Sequence, residues 1–368
     1  MTTTSRRLPS RRTLVAIIAG VAVLALGALA FPRPPQLSTE VTGDAALASR
    51  VKELATATDA TRNTLSVALI ENGRVTYAGL GADADTEFEI GSVTKTFTSA
   101  LLADSIERGE VEADTALGDL LDLGDSPAAG VTLEQLATHH SGLPRLPLET
   151  DVLVQTLLSQ YRGTDPYQWD VDQLVAQARA ATLTEPAVFD YSNFGVALLG
   201  QALAAAADID YATLVDTRIA EPLALGDTSV PSEAANLADD APTGFAASGR
   251  GSDAWTLKAN APAGGIRSTA TDMAAYATAL LDGTAPGAEA LEPRTDAEGL
   301  GQIGLAWFIT EPDGEGSGTE ITWHNGMTGG FASFVGLDRA NDRAVVVLSS
   351  TAVEVDQLGF ALLEGNDK

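Results

Sequence analysis

Apolar and polar positions along the chain separate a strand-like start, a helical middle and a strand-like end. Residues 65–70 and 75–79 alternate on either side of Glu71-Asn72-Gly73, and an Asn-Gly pair so placed predicts a two-residue β-hairpin. Helical spacing precedes it over 45–57 and follows it from Ser92 through Leu101, Leu102 and Ile106 to a stop near Gly109. Thr132 and Gln135 make a capping-box pair for a helix ending near His140. Residues 145–225 read as largely helical, with apolar repeats in Leu153-Leu157-Leu158, Val196-Leu199 and Leu214-Ile219. Gly-, Ser- and Ala-rich sequence from 231 to 265 predicts an extended loop system, and 271–281 a helix. Strand-like runs return at 303–309, 320–324, 331–337 and 344–349, with a turn over 338–342 and a closing helix over 353–363. Strands at both ends with helices between them predict a mixed α+β fold. Its antiparallel sheet would be assembled from both ends of the chain, with an all-helical insert over roughly 110–260.

The first 33 residues stand apart by charge. Arg6, Arg7, Arg11 and Arg12 precede an uncharged, mostly apolar run over 13–31 that ends in Ala28-Leu29-Ala30. Basic residues followed by an apolar segment predict export, as a cleaved signal peptide or as a membrane anchor with the arginines inside. Ser10-Arg11-Arg12-Thr13-Leu14 also fits a twin-arginine export signal loosely. Residues 34–44, opening with Pro34-Pro35, read as a linker to a single large domain over 45–366. The expected location is extracytoplasmic, secreted or anchored, with the membrane touched only through this segment.

Composition narrows the partners. Hydrophobic residues make up 45% of the chain, enough for a sizeable core. The formal net charge is −28, and beyond residue 33 the chain carries 17 basic residues against 50 acidic ones. Such a surface repels nucleic acid and anionic membranes. Cysteine is absent and there are only three histidines, His139, His140 and His324. No His-Glu-x-x-His or cysteine-pair spacing occurs, so neither a metal nor another cofactor is expected.

Candidate chemistry centres on Ser92-Val93-Thr94-Lys95, at the start of the helix that follows the hairpin. A serine needs a neighbouring base to become a nucleophile, and residues three apart on a helix share one face. A helix start also offers unpaired N–H donors to an oxyanion formed in acyl transfer. The ordinary alternative for Ser92 is an N-cap, for Lys95 a solvated surface residue, and for Tyr191 a half-buried aromatic. No Gly-x-Ser-x-Gly elbow is present.

Two further segments change the weight of that motif. Tyr191-Ser192-Asn193 lies 99 residues beyond Ser92, and His324-Asn325-Gly326 lies 133 residues beyond Tyr191. The order Ser-x-x-Lys, Tyr-x-Asn, His-x-Gly resembles the class C β-lactamase family of serine hydrolases, which also holds D-alanyl-D-alanine carboxypeptidases, D-aminopeptidases and esterases. Leu136-Ala137-Thr138-His139-His140-Ser141-Gly142-Leu143-Pro144 and Pro262-Ala263-Gly264-Gly265-Ile266-Arg267-Ser268-Thr269 extend the resemblance, which spans roughly residues 60 to 350. It implies a β-lactamase/transpeptidase-like fold with the site in a cleft between sheet and helical lobe. Ser92 would be the nucleophile, and Lys95 and Tyr191 would share the base and acid work, with the lysine's charge favouring a phenolate or a polarised Tyr–Ser pair. Asn193, His324, Gly326 and Met327 would form the substrate-binding and oxyanion set. Asn193 would bond Lys95 or the substrate amide, and the backbone N–H groups of Ser92 and Met327 would make the oxyanion hole.

The third motif departs from the family's β-lactamases, which carry Lys-Thr-Gly there. His324 would offer only a conditional charge near neutrality. The expected activity is therefore hydrolysis of a small amide or ester, with peptidase or esterase favoured over β-lactamase. The substrate would be a small molecule or peptide, with cell-wall-derived fragments and β-lactams among the candidates. The alternative is a penicillin-binding or cell-wall-sensing protein that is acylated without turnover.

Overall fold

The computed structural model describes residues 32–364 except 59, 148–153, 155, 157, 160, 185–187, 234, 235, 238–240 and 312–318. The export segment over 13–31 lies outside the described residues.

Helix α1 (Ala45–Thr56) starts at Asp44, whose carboxylate accepts the N–H groups of Ala46 and Leu47 at 3.0 and 2.8 Å. Strands β2 (Leu65–Glu71) and β3 (Arg74–Leu80) form the expected hairpin. Asn72 and Gly73 turn it at φ +51° and +72°, the left-handed pair that a tight hairpin demands. The sequence read as linker carries an edge strand, β1 (Val41–Gly43), which pairs with β3. Its signal is absent from the local pattern because its partner lies some 35 residues on and only the pairing defines it.

The C-terminal third supplies the rest of the main sheet. Its strands are β8 (Thr295–Asp296), β9 (Gln302–Ile303), β10 (Phe308–Thr310), β11 (Ile321–Met327), β12 (Ala332–Asp338) and β13 (Arg343–Ser349), numbered after the short strands β4 (Phe88–Glu89), β5 (Gly244–Ala246), β6 (Gly251–Ser252) and β7 (Arg267–Ser268). The nine-stranded antiparallel order is β1-β3-β2-β13-β12-β11-β10-β9-β8, so both ends of the chain meet at the β2–β13 pair. The run read as one strand over 303–309 is two, β9 and β10. Between them Ala306 takes φ +62° and its N–H bonds the carbonyl of Ala137, a tertiary tie that breaks the strand.

Both faces of the sheet are covered, which is why β2 and β13 are apolar at nearly every position. Ala344, Val346 and Leu348 face a core shared with helix α2 (Thr94–Glu107) and the helical lobe, while Val345 and Val347 face α1 and the C-terminal helix over Asp356–Leu363. The lobe includes α3 (Leu133–Ala137), closed by the Thr132/Gln135 capping box, then α4 (Val171–Ala180) and α5 (Asn193–Ala207). Helix α6 (Ala270–Leu281) packs on β2 and β13, and α7 is the C-terminal Asp356–Leu363. Ion-paired Arg267 and Glu89, 3.0 Å apart and almost wholly buried, clamp β7 to β4 just before the Ser92 turn.

Candidate active site

Ser92 lies in a single 3-10 turn, Gly91–Val93, that feeds α2. The N-cap of α2 is Val93 and no side chain caps it, so the hydroxyl of Ser92 is not a capping group. Instead Lys95 Nζ donates to Ser92 Oγ at 2.9 Å and to the carbonyl of Ala263 at 2.6 Å. Tyr191 lies beside this pair, with its ring centroid 5.0 Å from Lys95 Nζ and its phenol near enough to Ser92 to be influenced by it. The two spaced motifs therefore meet at one site.

The turn is pressed against the exposed end of β11. Thr328 N–H bonds Phe331 O on the β12 side at 3.0 Å, and alternation along an antiparallel strand sends Met327 N–H out of the opposite edge, toward Ser92. Glycines permit this closeness. A Cβ on Gly91, which sits at φ +49°, would lie 2.6 Å from Met327 N, and a Cβ on Gly326 would lie 2.9 Å from Ser92 N and overlap Ile90 O. Ser333 Oγ of β12 donates to Ile90 O at 2.6 Å and ties the turn to the sheet. Two N–H groups, of Ser92 and Met327, thus border the nucleophile.

Electrostatics set the protonation states. Burial pushes the amine of Lys95 well below its ordinary value, and the charge of Arg145 adds to the effect. Burial also pushes the hydroxyl of Tyr191 up to about 12, against the opposing influence of Ser92. The site thus eases loss of the lysine's charge and resists ionisation of the phenol.

One expectation is corrected. His324 does not face the cavity: it is buried, its ring centroid 5.4 Å from Phe308 and 6.3 Å from Tyr191, and its Nδ1 meets the carbonyl of Asn325 at 2.6 Å. Burial, together with the Lys95 charge, pushes it down to about 3, so it is a neutral imidazole and not a conditional cation. Asn193 lines the cavity, and Lys95 bonds Ala263 rather than it, which leaves the Asn193 amide to face a substrate.

The cavity over Ser92 encloses about 710 Å³. Sequence reading missed several of its lining residues, among them Arg145, Tyr167, Trp255 and Asp356. Arg145 lies 5.2 Å from the Tyr191 ring centroid. Asp356, at the start of α7, accepts a bond from Asn325 Nδ2 at 2.7 Å. Only their places in the fold bring these residues to the cleft, and none carries a local motif.

A family model for beta-lactamase matches residues 47–362. The chain belongs to the beta-lactamase family. Its fold is that of a class C beta-lactamase from Rhodobacter sphaeroides, with a TM-score of 0.72 at 24% identity over 87% of this chain and 99% of that one. A D-alanine carboxypeptidase from Burkholderia cenocepacia gives a TM-score of 0.68 at 24% identity, over 86% of this chain and 96% of that one. Among sequences, a beta-lactamase of Escherichia coli is 29% identical over 59% of this chain and 56% of its own length. Esterase EstB of Burkholderia gladioli is 29% identical over 41% of this chain and 40% of its own. A beta-lactamase-like protein of Dictyostelium discoideum is matched over 26% of its length, so the chain spans less than two thirds of each of these three sequence relatives.

Proposed function

We propose that the chain is a serine hydrolase that opens small esters or uncharged amides through an acyl-enzyme on Ser92. The observation that carries this reading is the bond from Lys95 Nζ to Ser92 Oγ, with the Tyr191 ring 5.0 Å from the same amine and two outward N–H donors beside it. Neutral Lys95 takes the proton of Ser92 as Oγ attacks the substrate carbonyl. The N–H groups of Ser92 and Met327 hold the oxyanion that forms. Tyr191 gives its proton to the departing oxygen or nitrogen and regains one from protonated Lys95. Water then attacks the ester carbonyl, and Ser92 leaves with a proton returned through the same pair.

Charge around the cleft favours the esterase reading over the β-lactamase and carboxypeptidase readings. Those substrates present a carboxylate on the leaving-group side. The cavity lining includes Glu354 and Asp356 with Arg145 as its cation, Asn325 is already bonded to Asp356, and His324 is neutral and turned away. A carboxylate beside Glu354 and Asp356 would meet like charge. The reading extends to location and partners: residues 1–33 export the domain, and its partner is a small-molecule substrate rather than nucleic acid.

Intact-protein mass spectrometry with p-nitrophenyl acetate, and separately with a penicillin, tests the proposal. The expected result is a transient acetyl adduct on Ser92, absent in Ser92→Ala, with slow or no hydrolysis of the penicillin. Full turnover by Ser92→Ala would end the hypothesis, and a permanent adduct would favour the sensing alternative.

A further inference from the structure

His139 is fully buried and plays no part in the steps above, yet it grips the chain on both sides of Tyr191. Its carbonyl accepts the N–H of Asp190 at 2.9 Å, and its Nδ1 accepts the N–H of Ser192 at 3.3 Å. Its ring lies against the phenol between them, with centroids 4.4 Å apart and planes tilted by 40°. One residue thus holds both neighbours of Tyr191 and one face of its ring. The backbone of His139 adopts φ +61°, a left-handed conformation uncommon for a residue with a side chain and several-fold enriched in His, Asn and Asp. That conformation follows directly on α3, where the chain must turn its carbonyl and ring toward 190–192 together.

The bond to Ser192 fixes the chemistry of the ring. An imidazole nitrogen that accepts an N–H carries a lone pair, so the proton of neutral His139 sits on Nε2. Nε2 is buried without a hydrogen-bond partner among the described residues. Burial pushes His139 well below its ordinary value, which keeps Nδ1 free to accept. A protonated ring would present N–H to N–H and break the brace.

We propose that His139 is the positioning residue for Tyr191: its Nδ1 and carbonyl hold the 190–192 backbone so that the phenol hydroxyl stays within reach of Ser92. The inference rests on the reading of Tyr191 as the group that carries the proton to and from the leaving atom. His139 touches neither the nucleophile nor the cavity, and its effect passes through Tyr191 alone.

Two variants separate this role from mere packing. In His139→Asn, Asn Oδ1 occupies the place of Nδ1 and the residue tolerates the left-handed backbone. In His139→Gly the backbone is relieved but the acceptor is gone. Turnover of p-nitrophenyl acetate would be measured for both, normalised to the fraction of protein that Ser92 acylation titrates, alongside Tyr191→Phe. The expected pattern is kcat within about threefold of the parent for His139→Asn. For His139→Gly a fall of about 100-fold in kcat is expected with KM little changed, as a misplacement near 1 Å can produce. Equal losses in the two variants, or a His139→Gly loss that vanishes on normalisation, would overturn the brace. Near-parental turnover by Tyr191→Phe would overturn it differently, by removing the role of Tyr191 itself.

Discussion

Gly326→Ala tests the oxyanion geometry most directly. A Cβ there would overlap Ile90 O and Ser333 Oγ and come within 2.9 Å of Ser92 N, closer than real Cβ atoms approach. The neighbours have little freedom to yield. Ile90 O is held by Ser333 Oγ at 2.6 Å and by Val93 N–H at 3.1 Å, and Ile90 N–H is bonded to Ile266 O at 3.1 Å. Strand β11 must therefore back away, carrying Met327 N–H with it. Loss of one oxyanion donor costs about 100- to 1,000-fold in kcat, or ~3 kcal/mol of transition-state stabilisation. The overpacking itself costs about 1–3 kcal/mol of stability. Stopped-flow acylation by p-nitrophenyl acetate and thermal melting would read the two effects separately. Gly130→Ala serves as control, since its Cβ would meet open space and it does not sit at positive φ. A Gly326→Ala protein that acylates within threefold of the parental rate would refute the placement of Met327 N–H in the oxyanion hole.

Two pH-dependent outcomes follow from buried groups. Asp356 is pushed up to about 6, from an ordinary 3.8, first by burial and then by the charge of Glu354, against the Asn325 bond. The folded state therefore keeps a proton that the unfolded chain releases, so this contribution to stability is complete below pH ~4 and is lost as pH rises through ~6. Asp356→Asn, which mimics the protonated acid, is expected to melt higher than the parent at pH 7.5 and alike at pH 4; parallel melting curves across that range would contradict the assignment. His324, held near 3, is neutral above pH ~5, so His324→Gln should leave the shape of the kcat/KM profile between pH 5 and 9 unchanged. Disappearance of a limb in that range would show that the imidazole titrates after all.

What could be read in the sequence was local or tied to a motif. The Asn72-Gly73 turn and the Thr132/Gln135 capping box need only neighbouring residues, and both form as expected. Ser92, Lys95 and Tyr191 stand out because their order has a known partner set, and the structure brings Lys95 onto the Ser92 hydroxyl with the Tyr191 ring beside it. The orientation of His324 was not legible, because which way a strand residue faces depends on how β11 sits against β10 and the Ser92 turn. Arg145 and Asp356 escaped notice for a similar reason: a lone charge in a loop or a helix start says nothing about the cavity it borders. The split of 303–309 into β9 and β10 depends on one bond from Ala306 to Ala137, across nearly half the chain.

The pairing of β2 with β13 has a kinetic meaning. Leu65 opposes Ser349, and every residue of β2 has its partner in the last strand of the main sheet in chain order. Until β13 arrives, β1, β3 and β2 form a small sheet with one edge of β2 unpaired, while one edge of β12 waits unpaired. Closure of such a large loop makes folding slow relative to its local steps. The nucleophile turn lies on the early side of that seam and the oxyanion strand on the late side. Catalytic competence is therefore acquired only once β13 has docked between β2 and β12.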